Sequence, residues 1–183
     1  MWLISTALAG ALAGLSPAEL GDVAGGGVVS SRDAEGGFRA WFLVPAPTVA
    51  VYSVLADHAS MSLWLPRLER SEVLIPSAPC ADVAFRVPTP IGDVEYRLSR
   101  CADGRRVWWN LLDGPQFEAL RGAYELEAHA SGTVVQYWSV VVGKVPVPEW
   151  AQAEAGRIGV TGLVDGLRAE VARREQAASP GLK

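Results

Sequence analysis

Few side chains in this sequence could do covalent or metal chemistry. Its 183 residues include two histidines, His58 and His129, and two cysteines. Neither histidine has cysteines or carboxylates at ligand spacing, so the sequence predicts no metal site. His58 follows Asp57 directly, but adjacent side chains at a helix end diverge, and no Gly-x-Ser-x-Gly turn supplies a nucleophile. We expect both histidines to be surface or turn residues, and we predict no catalytic residue and no cofactor.

The two cysteines are predicted to form a disulfide. They flank two strand-like runs on either side of a turn at residues 88–93. If that turn closes a hairpin, facing residues have numbers with a constant sum. The pairs are then Val87 with Val94, Phe85 with Tyr96, Val83 with Leu98, Arg86 with Glu95, and Cys80 with Cys101. The bond would contribute about 3 kcal/mol and would imply an oxidising compartment. The alternative is a pair of reduced cysteines without a role.

Aromatic side chains are the remaining chemical resource. Tyrosine hydroxyls in an apolar pocket can donate hydrogen bonds without ionising, so Tyr96, Tyr124 and Tyr137 could polarise carbonyl groups of a ligand. Trp108 and Trp109 must point to opposite faces of a strand, and we place Trp109 inside because it aligns with apolar neighbours two residues away. The alternative is that all of these rings, among seven tryptophans, simply fill a core.

Secondary structure is predicted to run from one strand through two helices into a meander. Residues 38–44 form a strand by composition, 48–56 a helix after two prolines, and 58–66 a short helix or turn. Short linkers then force antiparallel pairing of six strands, at 69–75, 81–87, 94–101, 106–112, 117–128 and 133–143. In the last hairpin the predicted pairs are Leu126 with Val135, Tyr124 with Tyr137 and Gly122 with Ser139. That face should be aromatic in the middle and hollow at its far end.

A long helix is predicted to end the domain, over residues 149–175. Its apolar stripe contains Val160, Leu163, Val164, Leu167 and Val171. It also carries four glycines, each costing about 0.8–1.0 kcal/mol relative to alanine. The glycines either allow close packing of the helix on the sheet or leave space for a ligand beside it.

The first residues resemble an export signal. Residues 2–15 are an apolar run too short to span a bilayer, and Ser16-Pro17-Ala18 offers small residues to a signal peptidase, although no Lys or Arg precedes the run. We predict a signal peptide or membrane-associated segment at 1–18, a flexible glycine-bounded linker at 19–36, the domain at 37–178 and a tail at 179–183. Export, to a periplasm or out of the cell, or membrane association is expected. The alternatives are an N-terminal helix packed on the fold and a cytoplasmic protein.

Charge excludes one class of partner. A formal net charge of -4 and a pI near 5.2 leave no basic footprint for neutralising phosphates, so nucleic-acid binding is not predicted.

The order of elements resembles the helix-grip fold of the SRPBCC or START-like superfamily. It is most similar to the coenzyme-Q-binding START-type and polyketide cyclase/dehydrase branch. The resemblance spans residues 37–175, and its motifs are Ala46-Pro47, Asp57, Trp64-Leu65-Pro66, Glu72-Val73-Leu74, and Phe117-x-x-Leu-x-Gly122-x-Tyr124 followed by Gly132-Thr133. It implies an α+β fold in which a curved antiparallel sheet of about seven strands, in the order β-α-α-β6-α, wraps the last helix around a cavity.

The resemblance also implies a hydrophobic small-molecule ligand, such as a lipid, quinone, sterol or polyketide. The residues expected to contact it are Phe85, Tyr96, Trp109, Tyr124 and Tyr137 from strands, Trp64 near the entrance, and Leu163 and Leu167 from the helix. Non-catalytic binding or transport, with a membrane surface as a possible partner, is the leading hypothesis. One alternative is a polyketide cyclase or aromatase that uses the same cavity; the other is an interaction protein with a collapsed cavity.

Overall fold

Eight strands form one antiparallel sheet with the order β1-β2-β8-β7-β6-β5-β4-β3. The computed structural model describes residues 12, 14–32, 37–89, 92–145 and 149–179, with the backbone alone for 149–158. The helices are α1 (Pro17–Ala24), α2 (Thr48–Ala56) and α3 (Glu149–Ala178), and a 3-10 helix spans His58–Leu63. The strands are β1 (Val28–Arg32), β2 (Phe38–Val44), β3 (Arg70–Ser77), β4 (Cys80–Thr89), β5 (Gly92–Ala102), β6 (Arg106–Asp113), β7 (Phe117–His129) and β8 (Gly132–Gly143). This is the predicted α+β helix-grip fold, with one strand more than expected.

The predicted hairpin registers are confirmed. Every facing pair proposed for β4 and β5 is present, from Val87 opposite Val94 to Cys80 opposite Cys101. The two cysteines form the predicted disulfide. The pairs proposed for β7 and β8 are present as well. Because side chains alternate along a strand, these registers decide which residues face the helices.

The additional strand lies where a flexible linker was predicted, and that prediction is wrong for residues 19–32. Strand β1 pairs along its whole length with β2. Helix α1 begins with a capping box, in which Ser16 and Glu19 satisfy each other's backbone N–H groups. Apolar contacts hold the helix in place, since Val23 is fully buried against Trp41 and its neighbours. Gly25, Gly26 and Gly27 are instead the turn between α1 and β1.

The predicted export segment lies mostly outside the described residues. Of the apolar run, Leu12 and Leu15 pack against the cluster around Val23, and the Leu12 N–H donates to the Glu127 carboxylate at 3.3 Å. Ser16, Pro17 and Ala18 form the start of α1. Among the described parts of the chain, no helix is long and apolar enough to cross a membrane. A signal peptide therefore stays a prediction.

The core lies between one face of the sheet, here called the inner face, and the helices α2 and α3. Its buried members include Phe42, Val83 and Val107 from the sheet and Val54 and Leu167 from the helices. The opposite, outer face of β2 and β8 is covered by α1. Arg168 of α3 joins the two layers, donating from Nε to the Leu43 carbonyl at 2.9 Å and from Nη2 to the Gly26 carbonyl at 3.2 Å.

Two glycines of α3 pack closely against the segment at residues 64–66. A Cβ at Gly166 would overlap the backbone carbonyl oxygen of Trp64, and one at Gly162 would lie 3.0 Å from Cγ of Pro66. The close-packing interpretation of these glycines is thus correct, but their neighbour is this segment and not the sheet. Trp64 is buried at 7% exposure, and its place near a cavity entrance stays a prediction.

Asp57, one of the motif residues, anchors the 3-10 helix to α3. Arg174 donates from Nη2 to the Asp57 carboxylate and to the Ser60 hydroxyl, each at 2.8 Å. Its Nε donates to Glu170 at 2.7 Å, and Arg173 adds two further bonds to the same carboxylate. These hydrogen bonds, first those from Arg173, lower the pKa of the buried Glu170 to about 2. The network fixes the residues that precede and follow His58.

Candidate ligand-binding site

The structure brings all eight predicted site residues into, or against, one apolar cluster on the inner face. Trp64, Phe85, Trp109, Tyr124, Leu163 and Leu167 are buried members of the cluster, and Tyr96 and Tyr137 pack against it. Both of these last two tyrosines keep partly exposed surface.

Three aromatic rings form the centre of this surface. The ring centroids of Trp109 and Tyr124 lie 5.1 Å apart, those of Tyr124 and Tyr137 5.4 Å, and those of Trp109 and Tyr137 6.1 Å. These separations are typical of favourable aromatic pairs. Phe85 and Tyr96 form a second, stacked pair with centroids 5.3 Å apart. The inner face therefore presents a continuous aromatic wall.

The hollow predicted at Gly122 is filled, which corrects that expectation. Gly122 lies opposite Trp109 in the pairing of β6 with β7, and a Cβ at this position would overlap both the Trp109 ring and the Trp138 carbonyl oxygen. The missing side chain makes room for the indole of the neighbouring strand. Gly122 thus sets the position of Trp109 and does not itself provide ligand space.

Arg100 is the main polar group of this interior, and sequence reasoning missed it. It is 3% exposed, and its Cζ lies 5.3 Å from the centre of the Trp109 ring. Its Nη2 donates to the Leu55 carbonyl at 3.4 Å and its Nε to Nδ1 of His58 at 3.3 Å. A usable signal existed, because the predicted register places Arg100 opposite Ala81 on the same face as Tyr96. The small partner leaves room for the guanidinium.

Arg100 has no carboxylate partner among the described residues. Its contacts are the two neutral acceptors and the Trp109 ring, and its electrostatic neighbours are tyrosines. Burial lowers the pKa of Arg100, yet a guanidinium keeps its charge in proteins. An uncompensated cation therefore lies inside an apolar cluster, which is costly unless something anionic joins it.

The tyrosines around this cation are neutral hydrogen-bond donors at physiological pH. Burial raises the pKa of Tyr96 to about 12, and it also raises the pKa of Tyr124 and of Tyr137. Tyr137 also interacts with the hydroxyl of Ser139. A phenol that stays protonated can donate to a carbonyl or carboxylate oxygen.

His58 belongs to the same interior, so the surface position predicted for it is wrong. It is half-buried, and burial followed by the charge of Arg100 lowers its pKa from 6.5 to about 4. The imidazole is therefore neutral at pH 7 and accepts the Arg100 hydrogen bond through Nδ1. His129 does lie at the predicted turn, where its Nδ1 accepts from the Ser131 N–H at 3.2 Å.

A protein-family model described as polyketide cyclase / dehydrase and lipid transport matches residues 38–174. The chain belongs to this family. The match begins at β2 and ends in the last part of α3, so α1 and β1 precede it. A search of curated protein sequences finds no significant match.

Several solved structures share the fold of this chain. The Zhui aromatase/cyclase from Streptomyces sp. R1128 is 18% identical, with a TM-score of 0.69 over 79% of this chain and 98% of that chain. A START superfamily protein from Mycobacterium smegmatis is 16% identical, with a TM-score of 0.65 over 80% and 97%. A STAR-related lipid transfer protein from Xanthomonas axonopodis is 19% identical, with a TM-score of 0.60 over 79% and 98%. At these identities the likeness concerns the fold alone.

A concavity with a volume of about 300 Å³ lies at β3 to β6. Its lining residues are Arg70, Ala84, Phe85, Arg86, Glu95, Tyr96, Arg97, Asp113 and Pro115. Strand alternation places Arg86, Glu95 and Arg97 on the outer face, opposite to Phe85 and Tyr96. Arg86 pairs with three carboxylates, including Glu95, and Arg97 pairs with Asp113 at 3.8 Å. The charges of this cleft are already compensated, unlike that of Arg100.

Among the described residues, no group of three or more His, Cys, Asp or Glu side chains could hold a metal ion.

Proposed function

We propose that this protein binds an amphipathic small molecule with an apolar body and an acidic or carbonyl head group, and that Arg100 anchors the head. The observation that carries the proposal is the buried Arg100 guanidinium without a carboxylate partner among the described residues. The family to which the chain belongs includes lipid transport in its description, which agrees with an apolar body.

The physical argument concerns the cost of the buried charge. A cation removed from water and left unpaired loses several kcal/mol of solvation free energy. The contacts to Leu55, His58 and the Trp109 ring offset part of this loss, but each partner is neutral. A ligand oxygen bearing negative charge would offset more, and the phenols of Tyr124 and Tyr137 could donate to the same head group. The apolar walls would hold the body by the hydrophobic effect.

Isothermal titration with ligands that share one chain and differ in head group tests this proposal. Dodecanoate should bind more tightly than dodecanol, and dodecylammonium least, since only the first compensates Arg100. Arg100→Gln should weaken dodecanoate binding by about tenfold to a hundredfold, as expected for a hydrogen bond to a charged group. The matched control is Arg97→Gln, which removes an exposed arginine from the outer face of the same strand. Equal affinities for the three head groups, or equal losses in the two variants, would end the proposal.

A second candidate function is catalysis of polyketide cyclisation or aromatisation, favoured by the convergence of Arg100 with three phenols. Polyketides cyclise through enolates, and a fixed cation with neutral donors would stabilise the developing negative oxygen. The test is product formation from a poly-β-ketone followed by mass spectrometry. A cyclase should form one cyclised product faster than buffer does and should lose that advantage in Arg100→Gln. Products identical to those in buffer would leave binding as the function.

We further infer that the protein works in an oxidising compartment, as the prediction of export suggests. The Cys80–Cys101 disulfide supports this inference, because such bonds persist mainly outside the cytosol. Thiol titration of natively isolated protein should find no free thiol. Two free thiols per chain would place the protein in a reducing compartment instead.

A further inference from the structure

Among the described residues, the guanidinium of Arg100 is held along one edge of its plane. Its Nε and Nη2 form one edge of the planar group, and both are engaged by the protein, at His58 Nδ1 and at the Leu55 carbonyl. An arginine carries five N–H donors in a fixed fork. Three donors therefore remain, on Nη1 and on the other side of Nη2, and the tyrosines are the electrostatic neighbours of the group.

The chain around His58 is anchored by two elements. Arg174 of α3 donates from Nη2 both to the carboxylate of the preceding residue, Asp57, and to the Ser60 hydroxyl. The backbone carbonyl of His58 accepts a hydrogen bond from the Ser71 hydroxyl of β3. These contacts to α3 and β3 hold the backbone of His58 in place beside Arg100.

We propose that His58 is a positioning residue: its neutral Nδ1, together with the Leu55 carbonyl, orients Arg100 so that the free Nη1 and Nη2 edge receives a head group with two acceptor oxygens. A carboxylate, a sulfonate or the enolate of a 1,3-dicarbonyl has the required pair of oxygens, and bidentate pairing with an arginine fork is stronger than a single bond. This inference rests on the proposed function, because it assumes that Arg100 contacts the head group.

Protonation of His58 removes the orientation. The imidazolium has no lone pair on Nδ1 and places a second positive charge 3.3 Å from Nε of Arg100. The head group would lie beyond the guanidinium and so farther from the imidazolium. In the ligand-free protein Arg100 can then turn away from the imidazolium, and binding has to bring the two cations back together. Since Coulomb energy falls with distance, this repulsion at 3.3 Å outweighs the attraction between the imidazolium and the more distant head group. Of the charged groups around His58, Arg100 from β5 opposes protonation and Asp57 favours it. Asp57 is already bound by Arg174 of α3, and the contact from β3 is the uncharged Ser71.

The experiment uses dodecyl sulfonate as the probe, because its charge does not change between pH 4 and pH 8. His58→Phe fills the site but removes the acceptor, and His58→Asn keeps an acceptor oxygen near the place of Nδ1. At pH 7.5, His58→Phe should lower the affinity by at least about tenfold, whereas His58→Asn should retain most of it. His129→Asn, at the β7–β8 turn, is the matched control and should bind like the wild type.

The pH profile separates positioning from a merely structural role. Wild-type affinity should fall as the pH is lowered from 6.5 towards 4, where His58 takes up a proton. His129→Asn should show the same fall, and His58→Asn should show a flat profile. An affinity that rises in acid, or a wild-type profile in His58→Asn, would overturn the inference. If His58→Phe does not fold, as judged by circular dichroism, the pH dependence of binding by His58→Asn still tests whether His58 positions Arg100.

The Arg100 and His58 variants distinguish a failure of the proposed function from a failure of the positioning role of His58. If Arg100→Gln binds dodecyl sulfonate as well as the wild type does, the proposed function fails. If Arg100→Gln loses binding while His58→Phe keeps it, only the positioning role of His58 is wrong.

Discussion

Adding one methyl group at each of three glycines of α3 should change stability by three different amounts. Gly159, Gly162 and Gly166 lie on the same helix, so each substitution by alanine brings the same gain in helix propensity, about 0.8–1.0 kcal/mol. Their surroundings differ. A Cβ at Gly159 meets no atom within 4 Å, one at Gly162 meets Pro66 at 3.0 Å, and one at Gly166 overlaps the Trp64 carbonyl oxygen.

The magnitudes follow from these contacts. Gly159→Ala should raise the free energy of unfolding by about 0.8–1.0 kcal/mol. Gly162→Ala should be close to neutral, because a shift of a few tenths of an ångström at the proline offsets the gain. At Gly166 backbone must move, and overpacking of this kind costs about 1–3 kcal/mol. We expect Gly166→Ala to be less stable than Gly159→Ala by about 2 kcal/mol, which corresponds to roughly 4–8 °C in Tm for a chain of this size.

Urea unfolding followed by circular dichroism, with thermal unfolding as a second measure, tests the order. The slope of unfolding free energy on urea concentration should be the same for all variants, so that midpoints can be compared directly. Equal stability of Gly166→Ala and Gly159→Ala would refute the reasoning. It would mean that the 64–66 segment does not lie against α3, and the buried position of Trp64 would lose its explanation.

Three further predictions concern what holds the fold together. Replacing both Cys80 and Cys101 by serine opens a cross-link between residues 21 apart in sequence and should cost about 3 kcal/mol; unchanged urea midpoints would contradict this. Glu170 has a pKa lowered to about 2, so its stabilising effect, on the order of 2 kcal/mol, is complete above about pH 4.5 and is lost as the pH falls towards 2. Glu170→Gln should therefore show a shallower loss of stability in that window, and parallel curves would show that the ion pairs contribute nothing. Arg168→Met removes both bonds to backbone carbonyls and should speed hydrogen exchange in α1 and β1 selectively; wild-type exchange there would exclude a tethering role.

Strand pairing could be predicted from the sequence because it depends on local information. The turn at residues 88–93 sets the register of β4 and β5, and that register alone brings Cys80 opposite Cys101. The same reasoning placed Tyr124 opposite Tyr137. Neighbouring strands joined by short turns have few alternative pairings, so an apolar pattern is enough to choose among them.

Contacts between distant segments could not be predicted in this way. Nothing local indicates that Gly166 accommodates the Trp64 carbonyl. Arg100 is an intermediate case. Arg100 lies on the inner face because side chains alternate along β5 and it is four residues from Tyr96. An arginine is so rarely buried, however, that the sequence pattern alone favours a surface position. The structure, and not the pattern, shows that Arg100 is buried.

The interior seen in the structure is more polar than the cavity that the sequence predicts. The sequence suggested an apolar container, and the walls are indeed aromatic and aliphatic. The structure adds a cation, a neutral imidazole and three protonated phenols in the same interior. Because of these groups, we expect a ligand with a polar head group and not a purely hydrophobic molecule.

A crystal structure with dodecanoate tests the central claim most directly. We expect the carboxylate within hydrogen-bonding distance, about 2.7–2.9 Å, of the Nη1 and Nη2 edge of Arg100, with the alkyl chain against Trp109 and Tyr137. A carboxylate in solvent or in the outer cleft at Arg86 and Arg97, with Arg100 left without an anionic partner, would contradict it.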